Sequence, residues 1–371
     1  MATPTPQTRL FTPMTIGTTT LAHRVVMAPL TRFRNASNNT PLPMATEYYT
    51  QRASVPGTLI IAEATQISSR FAGMPDGPGI WSEEQIAAWR EVTDAVHARG
   101  GVIFCQLIAL GRAARAEVLR ENGGFEVCAP SAVAMEDGGV VPRELGDGEI
   151  LEAVRDFGVA ASNAVRAGFD GVEVHGANGY LVDQFLQDVS NKRGDQWGGS
   201  IENRARFAVE VARAMVDAVG PERVGFRLSP WNTWQGMKMA DPVGQFEYTI
   251  RKLKELDLAY LHLVESRVIN NIDTVKVEGL EPFLEAWGTD KPVILAGGYN
   301  AENTVEAVDV EYAKYNVAVA FGRHFLANPD LPFRLQEKLG LNKYDRATFY
   351  TPKQAAGYLD YPFSLEFLAK A

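Results

Sequence analysis

The chain is poor in the features that would place it outside the cell, in a membrane or on a nucleic acid. Its 371 residues include only two cysteines, Cys105 and Cys128, which favours a reducing compartment over a disulfide scaffold. No apolar run approaches the roughly 20 residues that span a bilayer. The net charge of −9 lacks the basic excess that nucleic-acid binding requires. We therefore expect a cytoplasmic protein with neither membrane nor nucleic-acid partners.

Several short sequence motifs that indicate a bound cofactor or metal are also missing. The five histidines show no H-E-x-x-H spacing and there is no C-x-x-C pair, so we predict no metal site. No G-x-x-x-x-G-K-[ST] loop is present, and no G-x-G-x-x-G follows the first predicted strand. The last absence disfavours a doubly wound dinucleotide-binding sheet, which is the alternative to the fold proposed next.

Strand-like and helix-like patterns alternate along most of the chain. The strand-like runs are continuously apolar, as is typical of parallel strands covered by helices. They lie at residues 24–30, 58–64, 102–107, 171–175, 224–228, 259–264, 292–296 and 317–321. The clearest helix lies at 83–99, where Ser82 and Gln85 form a capping-box pattern. Eight such repeats predict an α/β fold, a single (β/α)₈ TIM barrel.

Two segments fall outside the repeat and set the domain boundaries. Residues 1–9, rich in proline and threonine, are predicted to be a disordered tail, and residues 10–371 a single barrel domain. Residues 10–22 are typical of a small hairpin that closes the N-terminal end of the barrel. Residues 109–146 form a long excursion after the third strand, which we interpret as a lid because long loops in compact domains are usually functional.

The residues that follow the fourth strand are the most informative part of the chain. His175, Asn178 and Tyr180 supply two neutral hydrogen-bond donors and one acid at the end of a buried strand. Barrel enzymes carry their chemistry at this end of the strands. The set suits a carbonyl oxygen that gains negative charge, followed by delivery of a proton. A capped strand end with a hydrogen-bonded histidine is the structural alternative.

Glycines and an arginine follow the last two predicted strands. Gly297 and Gly298 come after the seventh strand, and Gly322 and Arg323 after the eighth. Bare backbone N–H groups and a guanidinium suit a phosphate, which barrels often bind at this position. The alternative is two tight turns with a surface arginine.

Longer motifs give the chain a family resemblance. The segments 27–32 (MAPLTR), 171–184, 191–204 and 296–298 resemble the old yellow enzyme family of flavin-dependent ene-reductases. The segments 47–57 and 357–363 are similar to those of its fungal members, a branch that includes ergot-alkaloid chanoclavine aldehyde reductases.

The resemblance implies non-covalent FMN, with NADPH or NADH as reductant. By this resemblance, Gln106 would contact the pyrimidine part of the flavin and Arg227 would lie by flavin N1. The phosphate would be bound by the residues that follow the last two strands. The FMN contacts that it implies are Pro29, Leu30, Thr31, Ala64, Gln106, His175, Arg227, Gly297, Gly298, Gly322 and Arg323.

The resemblance also implies a reaction on a small α,β-unsaturated aldehyde or ketone. His175 and Asn178 would hold the carbonyl oxygen and Tyr180 would protonate the α-carbon. The expected substrate pocket includes Ile108, Trp231 and Tyr358. Ile108 departs from the tryptophan that many members carry, and packing of the loop is an equal alternative for Trp231.

Three points stay open at this stage. The protein could be a monomer or a homodimer. A flavin-assisted isomerase of an enal is an alternative within the family, although Tyr180 favours full reduction. A non-redox barrel enzyme acting on a phosphorylated substrate is the alternative outside it, with Glu63 as the one strong carboxylate candidate.

Overall fold

Eight parallel strands close into a barrel in the computed structural model, which describes residues 8–136, 138–269 and 272–370. The barrel strands are β1 (Val25–Met27), β2 (Leu59–Gln66), β3 (Val102–Ile108), β4 (Gly171–Gly176), β5 (Val224–Leu228), β6 (Tyr260–Val264), β7 (Val293–Ala296) and β8 (Val317–Phe321). Each strand pairs with the next in chain order, and β8 pairs with β1. The predicted (β/α)₈ barrel is confirmed.

The strands are buried on both faces, which explains why their sequences are apolar without alternation. Val26, Leu59, Phe104 and Ile294 pack together inside the barrel. The residues between them along the strands face the surrounding helices and join a second, larger core.

Helices cover the outside of the barrel and connect its strands. They are α1 (Met44–Arg52), α2 (Glu83–His97), α3 (Ala116–Glu121), α4 (Asp147–Arg166), α5 (Leu181–Leu186), α6 (Ile201–Val219), α7 (Pro242–Lys254), α8 (Glu281–Trp287), α9 (Thr304–Glu306), α10 (Arg323–Ala327), α11 (Leu331–Gln336) and α12 (Leu365–Leu368). The capping box at the start of α2 forms as predicted, with Ser82 and Gln85 each bonding the other's backbone. Among the described residues, no helix is both long and apolar enough to cross a membrane.

A hairpin closes the N-terminal end of the barrel, as predicted. Its strands, Met14–Ile16 and Thr19–Leu21, pair antiparallel. Met14, Ile16 and Leu21 are buried in the same cluster as the side chains that fill the barrel interior. The hairpin therefore extends the barrel core at the end opposite to the expected site.

The predicted tail ends earlier than residue 9. Arg9 begins a short 3-10 helix, its backbone N–H donates to Asp309 at 3.0 Å, and its Nη2 donates to the carbonyl of Tyr315 at 2.8 Å. These bonds fix Arg9 against the chain that precedes β8. Residues 1–7 of the predicted tail lie outside the described residues.

The excursion after β3 carries a 3-10 turn at Gly111–Ala113, helix α3 and a parallel strand pair, Cys128–Ala129 with Arg143–Glu144. Arg112 anchors its start by donating to the carbonyl of Gln235 at 2.9 Å, across the mouth of the barrel. That it acts as a lid stays a prediction.

Candidate active site

His175 and Tyr180 meet at the carboxyl end of β4. His175 is the penultimate residue of that strand and is paired in register with Arg227 of β5. Both side chains are buried, with 4% and 9% of their surface exposed. The rings of His175 and Tyr180 lie 4.8 Å apart between centroids and are tilted by 73°. An imidazole, a phenol and a guanidinium thus share one corner of the barrel.

The turn between these two rings is held in a left-handed conformation. Asn178 and Gly179 have φ angles of 59° and 81°. The backbone N–H of Asn178 donates to Ser229 Oγ at 2.7 Å, and its carbonyl accepts from Gln235 Nε2 at 2.8 Å. The N–H of Gly179 donates to Asp183 Oδ2 at 2.8 Å. Because a left-handed residue is strained unless its surroundings hold it, these contacts fix where Asn178 stands.

Burial sets the protonation of both rings. Burial lowers the pKa of His175 well below its ordinary value, and the nearby charge of Arg227 lowers it further. The imidazole is therefore neutral. Burial raises the pKa of Tyr180 to about 12, against the opposing effect of a hydrogen bond with Gln235. At neutral pH the site thus holds a neutral imidazole and a phenol that keeps its proton.

The residues predicted to contact a flavin line one continuous rim. The N–H of Ala28 donates to the carbonyl of Phe321 at 3.0 Å, which joins the end of β1 to the end of β8. The half-buried members of the predicted set follow β1, β7 and β8, and are Pro29, Leu30, Thr31, Gly297, Gly298, Gly322 and Arg323. Ala64 and Gln106, at the ends of β2 and β3, are buried. The structure brings the whole predicted set to one end of the barrel.

The rim after β7 admits only glycine at its closest point. Gly298 has a φ of 71°, and a Cβ there would stand 2.8 Å from Arg267 Cβ. After the next strand, at the start of α10, Arg323 Nη1 donates to the Tyr344 hydroxyl at 3.1 Å, and the guanidinium lies over that ring. The half-buried backbone of the rim glycines beside a fixed cation fits an anionic group.

Two buried polar atoms at the other side of the rim have no protein partner among the described residues. They are Arg227 Nε and His175 Nδ1. An unpaired buried donor or acceptor costs about 1–3 kcal/mol, so such atoms are rare unless something binds them. The residues present therefore fit a polar ring system at this side and a phosphate at the other, which is the composition of FMN.

An apolar patch lies beside Tyr180. Ile108 is fully buried and packs in one cluster with Ala64, Met74 and Leu110, against which the Tyr180 ring also packs. That Ile108 lines the substrate pocket stays a prediction.

Trp231 does not reach that patch. Its ring lies 5.4 Å from Phe283 of α8, and its Nε1 donates to the carbonyl of Gly279 at 3.2 Å. The structure thus favours packing of the loop for Trp231. The tryptophan beside the site is Trp234, whose ring is 6.4 Å from that of Tyr180 and which is 38% exposed.

Tyr358 also lies elsewhere. It is fully buried and stacks on Tyr48 of α1 at 4.0 Å, so it cannot close over a substrate. Another tyrosine of the C-terminal segment, Tyr350, is the one at the mouth. It is 52% exposed, its ring is 5.7 Å from that of Phe33, and it raises the pKa of Tyr180 electrostatically after the larger effect of burial.

Several polar residues inside the barrel were missed by the sequence analysis. Glu173, Tyr260 and His262 are fully buried, and Tyr260 and His262 both hydrogen-bond to the Glu173 carboxylate. A signal existed for the first of them, because Glu173 precedes His175 by two residues on one strand and must therefore face the same side. Among the described residues, no group of three or more histidine, cysteine or acidic side chains could hold a metal ion.

A family model decides the relationship. The model of the NADH:flavin oxidoreductase / NADH oxidase family matches residues 9–342. The chain belongs to this family. A chanoclavine-I aldehyde reductase of Penicillium roqueforti is 55% identical over 360 residues, which cover 97% of this chain and 98% of the relative.

Solved structures agree with this assignment. The old yellow enzyme from a Pichia species superposes with a TM-score of 0.89 at 37% identity, covering 96% of this chain and 94% of that one. Morphinone reductase superposes with a TM-score of 0.88 at 41% identity, covering 98% of each chain.

Membership settles the general chemistry. The protein is an NAD(P)H-dependent flavin oxidoreductase of the old yellow enzyme family with non-covalent FMN, and in general terms an ene-reductase. The doubly wound sheet and the non-redox barrel enzyme are thereby excluded.

Proposed function

We propose that the protein reduces the C=C bond of an α,β-unsaturated aldehyde or ketone, with His175 and Asn178 binding the carbonyl oxygen and Tyr180 protonating the α-carbon. The observation that carries the proposal is the corner where a neutral imidazole and a protonated phenol lie 4.8 Å apart, beside a turn that fixes Asn178. That the similar Penicillium roqueforti protein is an aldehyde reductase supports the substrate class.

The proposed cofactor contacts are the rim residues. Gln106 and Arg227 would hold the ring system, Pro29, Leu30, Thr31 and Ala64 would line it, and the backbone of Gly297, Gly298 and Gly322 with Arg323 would bind the phosphate. Held by these residues, FMN would supply the hydride chemistry that links NAD(P)H to the β-carbon of the substrate.

The protein's own groups account for the remaining steps. A neutral N–H donor at the carbonyl oxygen stabilises the negative charge that develops there, and loss of one such donor typically costs about 100-fold or more in rate. The Tyr180 hydroxyl supplies the proton at the α-carbon, and burial keeps that proton in place until the carbanion forms. The apolar cluster around Ile108 excludes water from this exchange.

The test separates the two half-reactions of Tyr180→Phe. We expect reduction of bound FMN by NADPH, followed by its absorbance, to stay within about twofold of wild type. Reoxidation by 2-cyclohexenone should slow by about 100-fold or more, since general-acid catalysis contributes that much. Tyr248→Phe on α7 is the matched control, because that tyrosine lies on an outer helix.

Equal loss in both half-reactions would exclude Tyr180 as the proton donor. Conversion of an enal to its isomer by Tyr180→Phe, with no net consumption of NADPH, would show instead that the phenol decides between reduction and isomerisation.

A further inference from the structure

A buried carboxylate, Glu173, lies inside the barrel next to the proposed flavin contacts. Glu173 Oε1 accepts from Gln106 Nε2 at 2.7 Å. Its other oxygen, Oε2, accepts from the Tyr260 hydroxyl at 3.0 Å and lies 2.8 Å from His262 Nδ1. All four side chains are at most 1% exposed. None of these contacts is used by the reaction steps proposed above.

The charges in this cluster can be assigned. Burial lowers the pKa of His262, so its imidazole is neutral. Burial alone would raise the pKa of Glu173, but hydrogen bonds from His262 and Gln106 and the positive charge of Arg227 favour its charged form. Its pKa is therefore below the ordinary value, and the group is a carboxylate. Burial lowers the pKa of Arg227, and Glu173 is the strongest influence that raises it again. The negative charge of Glu173 therefore lies close enough to the positive charge of Arg227 to stabilise it.

The hydrogen bond to Gln106 also determines which end of its amide is free. A carboxylate has only acceptors, so the Gln106 nitrogen must point at Glu173. The Gln106 carbonyl oxygen is then left for an N–H donor on the other side. Strand pairing keeps this arrangement, because Gln106 and Glu173 are register partners on β3 and β4.

We propose that Glu173 is a positioning residue for the flavin. It fixes the Gln106 amide with its oxygen toward the cofactor, and its charge offsets that of Arg227, so that it sets both the affinity and the reduction potential of FMN. The inference rests on the proposed placement of FMN against Gln106 and Arg227.

The charge is tested with Glu173→Gln, which keeps the shape and can still accept from Gln106. Removing a buried negative charge favours the anionic reduced flavin, so the midpoint potential of bound FMN should rise. Tyr260→Phe is the control, because it removes one hydrogen bond from the carboxylate and leaves its charge. An unchanged midpoint potential in Glu173→Gln, or an equal shift in Tyr260→Phe, would overturn the proposal that the charge of Glu173 sets the reduction potential.

The orientation is tested with Glu173→Asp, which keeps the charge and withdraws it from Gln106 by one methylene. We expect the dissociation constant of FMN, from quenching of its fluorescence on titration into the apoprotein, to rise about 10-fold, the equivalent of one hydrogen bond to a charged group. An unchanged dissociation constant would overturn the orienting role. This variant also serves if Glu173→Gln does not fold.

Arg227→Gln separates this inference from the placement on which it rests. It should lower the midpoint potential, since it removes the positive charge. If it changes neither the potential nor the affinity for FMN, the placement of the cofactor is wrong. If it shifts the potential and Glu173→Gln does not, only the role of Glu173 is wrong.

Discussion

At the scale of single residues, burial is what makes the candidate acid usable. A phenol in water titrates near pH 10, whereas the partly enclosed Tyr180 has its pKa raised to about 12 by burial. The group therefore holds its proton throughout the range in which the enzyme can be assayed.

This gives a prediction for the alkaline pH range. We expect the rate constant for reoxidation of the reduced enzyme by 2-cyclohexenone, measured by stopped flow, to stay constant from about pH 8 to pH 10, because Tyr180 loses its proton only above that range. A decline with a midpoint near pH 10 would mean that the donor titrates as an ordinary exposed phenol.

Which residues reach the site was only partly predictable. The carboxyl ends of parallel strands share one end of a barrel, so His175, Gln106 and Arg323 could be assigned to that end from the sequence alone. Loop residues obey no such rule. Trp231 and Trp234 are three residues apart, yet one packs against α8 and the other stands beside Tyr180. Only the path of the loop distinguishes them.

At the scale of elements, two arginines after β1 hold the segment that carries Tyr350. The Arg34 guanidinium is fully buried and donates to the carbonyls of Phe349 at 2.8 Å and Thr348 at 2.9 Å. Arg32 Nη2 donates to the carbonyl of Gly357 at 2.7 Å. The same loop thus carries a proposed flavin contact, Thr31, and the anchor of the segment at the mouth.

Arg34→Met should release that segment. Its carbonyls lose charged donors, each worth about 1.5–3 kcal/mol, so we expect proteolysis within residues 346–358 to quicken by 10-fold or more. The KM for the enone should rise with the displacement of Tyr350, while the affinity for FMN changes little. Arg99→Met, at an exposed arginine after α2, is the control. Unchanged proteolysis would mean that other contacts secure the segment.

The strands and helices were predictable from the sequence where burial produces one clear hydrophobic pattern. The eight strands were assigned correctly, because each is buried on both faces and so has a largely apolar sequence. The sequence of residues 301–310 favours one continuous helix, but the segment forms a short α-helix, Thr304–Glu306, followed by a π-helix, Ala307–Glu311. α1 was missed, because its buried face includes Tyr48 and Arg52, which pack under the C-terminal segment and not against an apolar surface alone.

At the scale of the whole molecule, the pH dependence of stability is set by buried titratable groups. One is a histidine with a lowered pKa, and two are carboxyl groups with raised pKa values. His23 lies at the hairpin end, where its Nδ1 accepts from Val25 N–H at 3.2 Å and its Nε2 lies 3.0 Å from Thr58 Oγ1. Burial lowers the pKa of His23 to about 4. Burial raises the pKa values of Glu63 and Asp183 to about 7.

His23→Gln isolates the first of these effects. Between its unfolded pKa of 6.5 and its folded pKa of about 4, the unfolded chain binds a proton that the folded state excludes, so stability falls as the pH drops through this window. Wild type should lose about 3 kcal/mol more than the variant between pH 7 and pH 4 in urea unfolding. Parallel pH profiles would contradict the prediction. Glu63 and Asp183 act in the opposite direction, but equally in both proteins.

The bonds that join β1 and its flanks to β8 also govern when the molecule can form. Arg9 binds the carbonyl of Tyr315, Arg24 Nη1 donates to the carbonyl of Val317 at 3.0 Å, and Arg34 holds residues near 349. The first barrel strand therefore waits for a partner made about 290 residues later. On a ribosome the earlier strands emerge as an open sheet with an unpaired edge, exposed to wrong pairing until the final strand is released. Synthesis of this enzyme is thus expected to benefit from chaperones that shield such edges.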